Sequence, residues 1–450
     1  MLEIPLQRGT SCPLYRQIAR HLKTMIDRGT LAAGLRLPGT RELAQALSVS
    51  RTTTTEAYGL LVSEGYIVER GRSGSYVAPR PSAPPTVAAA FVEPLWDLAS
   101  ENPSPGLLPS SSVRGLIRSL LAEGGDLFAS SPVEGRDDLR SALVAHGALR
   151  GIPARSAHLV VTGGGLEGLS TALGALKELG TKKVWVEELT FPDFVAMARS
   201  EGLDVGSLPL DEEALVGCLG TVGAGEVVYL IPSFHNPTGR TLSFEARRAL
   251  LAEGERRGFW IIEDDTYGEF RYGLSSVPAL KSLDGADRVL YIGSFSQLLL
   301  PGLRVGYALL PPSLRESFLA VKSRRQGPVS TLTQRVALGF ISGGGLDRGL
   351  VRLRAILSRR METLVEALRR EFPQWETTKP QGGIYLWADT GSTDGRAVAD
   401  VARSRGVALM AGAPFAWPNR AVCGLRFSVS RLDGAALSGA VRILKENGPW

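Results

Sequence analysis

The segment Val289-Leu290-Tyr291-Ile292-Gly293-Ser294-Phe295-Ser296-Gln297 runs through Leu298-Leu299-Leu300 into Pro301-Gly302-Leu303-Arg304-Val305-Gly306-Tyr307. It reads as a buried strand that ends in glycine and hydroxyl side chains, then returns past an arginine. A short apolar run rich in β-branched and aromatic residues suits a strand covered on both faces. The same grammar recurs upstream, where the run 227–231 leads to His235-Asn236-Pro237-Thr238-Gly239 and the run 259–262 to Glu263-Asp264-Asp265-Thr266-Tyr267. Two further runs, 158–161 and 183–186, complete a set of strand candidates separated by helical intervals. Strands alternating with helices imply βαβ units and a largely parallel sheet. Ligands of such sheets gather at the carboxyl ends of the strands, where these polar residues fall.

Outward from the sheet, residues 79–94 hold five prolines and no amphipathic period, the composition of an extended tether. The expected division is a small domain over 1–79, a linker over 80–94 and a large domain over 95–450. Charge is concentrated in the small part: residues 1–80 carry eleven Lys/Arg against six Asp/Glu, a net of +5 out of +6 for the chain. A basic module on a near-neutral body points to a polyanionic partner.

Within that module Leu14, Ile18, Leu22, Met25 and Ile26 share one helical face. Thr40 stands as the N-cap of a short helix to Leu47, Ser48-Val49-Ser50 as a tight turn, and Arg51 as the start of a second helix to about Ser63. Residues 66–70 and 75–77, around Gly71-Arg72-Ser73-Gly74, read as a hairpin. Two helices joined by a tight turn and followed by a basic hairpin make a winged helix-turn-helix. Its candidate DNA contacts are Arg41, Ser50, Arg51, Thr52 and Thr53 with the wing at Arg72 and Gly74, since guanidinium and hydroxyl groups suit phosphates and base edges.

Composition removes other classes. With 44% hydrophobic and 21% charged residues the chain is not globally disordered. No apolar run reaches the roughly 20 residues of a membrane span. Met1-Leu2-Glu3-Ile4-Pro5 does not read as a secretory signal, and Cys12, Cys218 and Cys423 form no disulfide framework, so a cytoplasmic location is expected. His21, His146, His158 and His235 lack metal-ligand spacing, and no metal is expected. One motif points elsewhere. Gly163, Gly165 and Gly168 fit G-x-G-x-x-G, with Glu187 about 20 residues on, as a dinucleotide site asks. The same glycines also arise wherever backbone must approach a phosphate at a helix N-terminus, and the downstream segments weigh against the dinucleotide reading.

At residues 235–239, 263–267, 293–297 and 301–307, in that order, the chain resembles pyridoxal-phosphate enzymes of the aspartate aminotransferase fold. Leu37-Pro38, Arg41-Glu42-Leu43-Ala44, Val49-Ser50-Arg51-Thr52, Ala57-Tyr58, Glu64-Gly65-Tyr66 and Gly74-Ser75-Tyr76-Val77 extend the resemblance to the MocR-type members of the GntR regulators. It covers nearly all of residues 10–445. It implies a multidomain chain: a winged helix-turn-helix joined to an α/β fold type I aminotransferase-like domain, with a large subdomain over about 95–310. A helix and a smaller C-terminal α+β subdomain would occupy about 311–450. It also implies a homodimer on double-stranded operator DNA, with an amino-acid-like or vitamin B6 effector. For pyridoxal 5′-phosphate the resemblance implies Asp264 at the ring nitrogen, Asn236 and Tyr267 at the 3′ oxygen, and Phe191 stacked on the ring. Gly164, Gly165, Ser294, Ser296 and Arg304 would surround the phosphate, and Arg426 would grip a substrate α-carboxylate.

The family's Schiff-base lysine falls on Gln297. A carboxamide nitrogen is neither basic nor nucleophilic, so it forms no covalent link to the cofactor and moves no α-proton, a role worth roughly 10²–10⁴-fold in rate. The nearest lysines, Lys281 and Lys322, do not occupy the motif position. Gly165-Leu166 replace a phosphate-binding pair of polar side chains, and Ser130 stands where a tyrosine commonly reaches across the dimer. The expected function is transcriptional regulation, with the large domain as effector sensor and dimerisation body that holds any pyridoxal phosphate non-covalently. The alternatives are an aminotransferase of residual or atypical activity and a DNA-binding scaffold without a small ligand.

Overall fold

The computed structural model describes residues 4–6, 13–27, 30–32, 34–64, 66–69, 73–78, 96–124, 126–275, 277–295, 301–391, 394–419 and 421–446. Arg72, Ser296, Gln297 and the linker 80–94 lie outside the described residues. The chain divides into two compact units, Met1–Glu93 and Pro94–Trp450.

The first unit contains α1 (Leu14–Asp27), α2 (Thr40–Leu47), α3 (Arg51–Ser63), β1 (Ile67–Glu69) and β2 (Ser75–Val77). Ile18, Leu22 and Ile26 of α1 bury against Leu43, Ala57, Tyr58, Leu61, Ile67 and Val77, while Leu14 and Met25 form the half-buried margins of the stripe. Gly39, not Thr40, caps α2: its backbone is extended and its N–H donates to Glu42 Oε2 at 3.3 Å, so Thr40 enters the first turn. Ser48 ends α2 at φ 50°, and the Ser50 hydroxyl accepts the Thr53 N–H at 3.1 Å to open α3. Thr54, fully buried, donates to the Thr40 carbonyl at 2.8 Å, and Tyr58 donates to the Pro38 carbonyl at 2.8 Å. These two bonds fix α3 across the start of α2. β1 and β2 pair antiparallel with Ile67 opposite Val77, and Leu37 N–H adds a third arm by donating to the Ser75 carbonyl.

The second unit begins with β3 (Trp96–Asp97) and is built on a seven-stranded sheet. Its strands are β4 (Leu159–Thr162), β5 (Lys183–Glu187), β6 (Asp204–Leu208), β7 (Val227–Leu230), β8 (Trp260–Asp264), β9 (Val289–Ser294) and β10 (Gly306–Leu309), in the spatial order β4-β10-β9-β8-β7-β5-β6. β6, β5, β7, β8 and β9 run parallel, and β10 is antiparallel to both its neighbours. All the expected strands form. Four of them run one or two residues past the last apolar residue, to Thr162, Glu187, Asp264 and Ser294. The ladder carries the polar ends along, with Asp264 opposite Ile292 and Ser294 opposite Gly306. Alternation decides the layers: Val227 and Tyr229 face the core shared with Leu169, Leu173 and Leu176 of α4 (Gly165–Glu178). Val228 and Leu230 face a second cluster with Leu215, Leu250 and Phe259.

After the 27-residue helix Gly345–Glu371 comes a small α+β part. β11 (Glu376–Thr377), β12 (Tyr385–Asp389), β13 (Val407–Ala408), β14 (Met410–Ala411) and β15 (Gly424–Ser428) follow in sequence, and four of them form an antiparallel sheet ordered β11-β12-β15-β14. β13 instead pairs parallel with β3, and Ser428 N–H donates to the Leu98 carbonyl at 2.8 Å. The first residues of this unit are thereby stitched to its last third. Among the described residues no helix is long and apolar enough to cross a membrane.

Candidate ligand site and nucleic-acid interface

The expected cofactor residues Gly165, Phe191, Asn236, Asp264, Tyr267, Ser294 and Arg304 line one cavity of about 290 Å³ at the carboxyl ends of the strands, with Glu101, Asn102, Leu166 and Thr266. Asp264 ends β8 and is 6% exposed. Its Oδ2 accepts from the Tyr229 hydroxyl at 2.9 Å, and its Oδ1 from the Thr266 hydroxyl at 2.7 Å and the Thr266 N–H at 3.2 Å. Burial raises its pKa; the Thr266 and Tyr229 hydrogen bonds oppose that rise without cancelling it. No cation pairs with this carboxylate among the described residues, although it faces the cavity. A buried anion so placed suits a cationic ligand group.

Asn236 offers its carboxamide oxygen to Arg426 Nη1 at 2.9 Å, which leaves its amide NH₂ as the donor toward the cavity. The Tyr267 hydroxyl is 2.8 Å from that of Tyr385, their rings meeting edge to face. Phe191 sits at the mouth of the helix Pro192–Ser200 and packs half-buried against the core. Gly164, expected at the phosphate, is not among the lining residues; it caps α4 at φ +106°. A Cβ there would lie 2.9 Å from Arg304 Nη2, so the glycine lets the guanidinium settle over the helix N-terminus. Leu166, 41% exposed, presents hydrocarbon to the cavity from the same turn, and Ser130 is exposed.

Neither lysine near the motif in sequence reaches this cavity. Lys281 Nζ donates to Asp284 Oδ2 and the Val289 carbonyl, both at 2.9 Å, at the opposite end of β9. Lys322 is fully buried and bonded to Glu167, whose other oxygen accepts the Gly163 N–H at 2.6 Å. Among the described lining residues there is no lysine. The dinucleotide reading fails on topology: β4 lies beside β10, and four strands stand between β4 and β5. Glu187, its ribose acid, is instead 3.1 Å from His235 Nε2. Among the described residues no group of His, Cys, Asp and Glu is arranged to hold a metal ion.

Arg426, on β15, has an unforeseen partner. Its Nη1 also donates to Glu101 Oε1 at 2.8 Å, and its Nη2 to the Ala99 carbonyl at 2.9 Å. Glu101, Thr266, Tyr229 and Tyr385 went unnoticed in the sequence; only Thr266 carried a signal, inside the motif at 263–267.

In the first unit Arg41, Ser50, Arg51 and Thr52 are exposed and Thr53 is half-buried. The Ser50 and Thr53 hydroxyls bond each other at 2.8 Å, so both serve the helix cap. Arg41, Arg51 and Thr52 remain as the outward donors. Gly74 stands at φ +105°, and a Cβ there would approach Arg36 Nε to 3.3 Å. The glycine thus lets exposed Arg36, which sequence reading passed over, lie along the wing.

Residues 95–444 match the family Aminotransferase class I and II, and residues 14–77 match Bacterial regulatory proteins, gntR family. The probable rhizopine catabolism regulatory protein MocR of Rhizobium meliloti is 30% identical over 397 residues, covering 83% of this chain and 80% of that protein. The HTH-type pyridoxine biosynthesis transcriptional regulator PdxR of Corynebacterium glutamicum is 28% identical, with 84% and 83% covered. An archaeal alanine:glyoxylate aminotransferase superposes with a TM-score of 0.73 at 24% identity, over 78% of this chain and 90% of that one, which speaks for the fold. The chain therefore belongs to the aminotransferase class I and II family and, through its first unit, to the gntR family of bacterial regulatory proteins, the two-part organisation of the MocR-type regulators.

Proposed function

We propose that this chain is a DNA-binding transcriptional regulator, active as a homodimer, whose aminotransferase-like unit senses a pyridoxal-phosphate-type ligand without turning over amino acids. The composition of the cavity carries this reading. A buried carboxylate without a cation, an aromatic wall and an arginine over a helix N-terminus are retained, while no lysine is among the described lining residues. These residues fit pyridoxal 5′-phosphate. Asp264 would meet a protonated ring nitrogen, Phe191 would cover the ring, and Asn236 and Tyr267 would donate to the ring oxygen. Arg304, Ser294 and the N–H groups that open α4 would take the phosphate.

Bound there, the cofactor supplies an aldehyde open to amines and a ring that draws electrons from neighbouring bonds. Proton transfer at an amine's α-carbon needs a base, and Gln297 at the family's lysine position carries an amide nitrogen too weakly basic to accept that proton. The names of the MocR and PdxR relatives, regulators of rhizopine catabolism and pyridoxine biosynthesis, support a regulatory role and a B6-related effector. In the first unit α3 would enter the major groove, with Arg51 and Thr52 at its N-terminal end and Arg41 on the backbone.

Borohydride reduction with intact-mass analysis tests the sensor. Incubated with pyridoxal phosphate, the wild-type protein is expected to gain no reducible adduct in the cavity, whereas Gln297→Lys gains one at that position. Steady conversion of an amino acid and a keto acid by the wild-type protein would overturn the reading.

A further inference from the structure

We propose that Glu101 determines the ligand class of the cavity: by occupying Arg426 from within, it makes the site select phosphorylated pyridoxyl compounds that lack an α-carboxylate. The inference rests on the reading of the cavity as a pyridoxal-phosphate-type site.

Arg426 is 2% exposed, with Cζ 4.3 Å from the centroid of the Tyr385 ring and 4.9 Å from that of Phe415. Between these rings it has little room to swing. Nη1 donates to both Glu101 Oε1 (2.8 Å) and Asn236 Oδ1 (2.9 Å), so both of its hydrogens are engaged by the chain itself. Nη2 gives one of its two to the Ala99 carbonyl at 2.9 Å. The Nη1–Nη2 end of the guanidinium, which would grip a carboxylate head-on, thus keeps a single uncommitted hydrogen, and Nε, buried and without a hydrogen-bond partner, is closed off from the cavity.

Glu101 is not delivered by a loose loop. Asp97 Oδ1 accepts the N–H groups of Ala99 and Ser100 at 3.0 and 2.9 Å. The Ser430 hydroxyl donates to the Ser100 carbonyl at 2.7 Å, and Ser104 N–H donates to the Ser430 carbonyl at 3.0 Å. The arch from 97 to 104 is thus pinned at both ends, with the Glu101 carboxylate lining the cavity. A ligand carboxylate arriving at Arg426 would meet a like charge already in contact with the guanidinium. It would have to displace the partly exposed Glu101 carboxylate from a nearly buried arginine, whose charge the chain already neutralises. A ligand amine in the same place meets an acceptor.

Two reduced adducts that differ only in the carboxylate isolate the effect: N-(5′-phosphopyridoxyl)-ethylamine and N-(5′-phosphopyridoxyl)-L-alanine. Calorimetric titration of the full-length protein is expected to show the ethylamine compound bound at least tenfold more tightly. Glu101→Gln and Glu101→Gly are each expected to bring the alanine compound to parity or better, with the ethylamine affinity changed less than the alanine affinity. Equal affinities in the wild-type protein, a preference for the alanine compound, or an unchanged ratio in both variants would overturn the role of Glu101 while leaving the cavity as the binding site. Failure of every form to bind either compound would overturn both readings.

Discussion

Asp264, at the end of β8, and Glu269, in the turn that follows, show how burial alone does not set a carboxylate's charge. Both are buried, and burial pushes both upward. Asp264 has only hydroxyl and N–H donors and stays raised, whereas Glu269 is carried down to about 2 by the hydrogen bond from His146 and the nearby Arg150 and Arg354. Its Oε1 is 2.8 Å from His146 Nε2 and its Oε2 is 2.9 Å from Arg354 Nη2. A folded-state pKa of about 2 against an ordinary 4.5 means the ionised carboxylate stabilises the fold above about pH 4.5, and that contribution is lost as pH falls toward 2. The shift corresponds to on the order of 3 kcal/mol. Glu269→Gln is expected to lower stability at pH 7 by about that much and to flatten the decline between pH 4.5 and 2. Denaturant unfolding of the second unit, followed by its tryptophans across that range, reads both effects.

Helix α3 separates residues that hold the element from residues that use it. Ser50 caps it, Thr54 ties it to α2, and Thr55 bonds back to the Arg51 carbonyl, whereas the exposed Thr52 hydroxyl has no hydrogen bond among the described residues. Four consecutive threonines therefore carry different tasks, which the sequence offered as a single polar run. Removing an N-cap hydroxyl costs about 1 kcal/mol. Ser50→Ala is expected to speed amide exchange in the first turn of α3 about fivefold. Thr52→Ala is expected to leave exchange unchanged and to weaken binding to promoter DNA. Mass-resolved hydrogen exchange over 51–63, beside a gel-shift titration, distinguishes the two.

The two units have separate hydrophobic cores, one around Ile18, Leu22 and Leu61 and the other around the seven-stranded sheet. Substitution on the face of α3 should therefore leave the ligand cavity intact. Arg51→Ala is expected to weaken operator binding across sequences and to make the plot of log K against log salt shallower by about one, as loss of a phosphate contact does. The melting profile of the second unit should stay as in the wild-type protein. A salt slope equal to wild type would remove Arg51 from the interface.

Strands, helices and the order of their loops were readable from residue order because each depends on neighbours a few positions away: the unbroken apolar run at 227–230, the tight turn at 48–50 before α3, the glycine-rich turn after β4. The absence of an amine at position 297 is likewise plain in the chain. Partnerships across the sheet were not. Glu101 reaches Arg426 over 325 residues, Tyr267 meets Tyr385 over 118, and Tyr229 meets Asp264 over 35. Such contacts follow from which strands lie side by side and how the 97–104 arch is pinned onto β15, and no local period encodes either. Residue order thus set polar side chains at the ends of the strands, while the packing of distant segments gathered them around one cavity and gave Arg426 the Glu101 carboxylate as a partner.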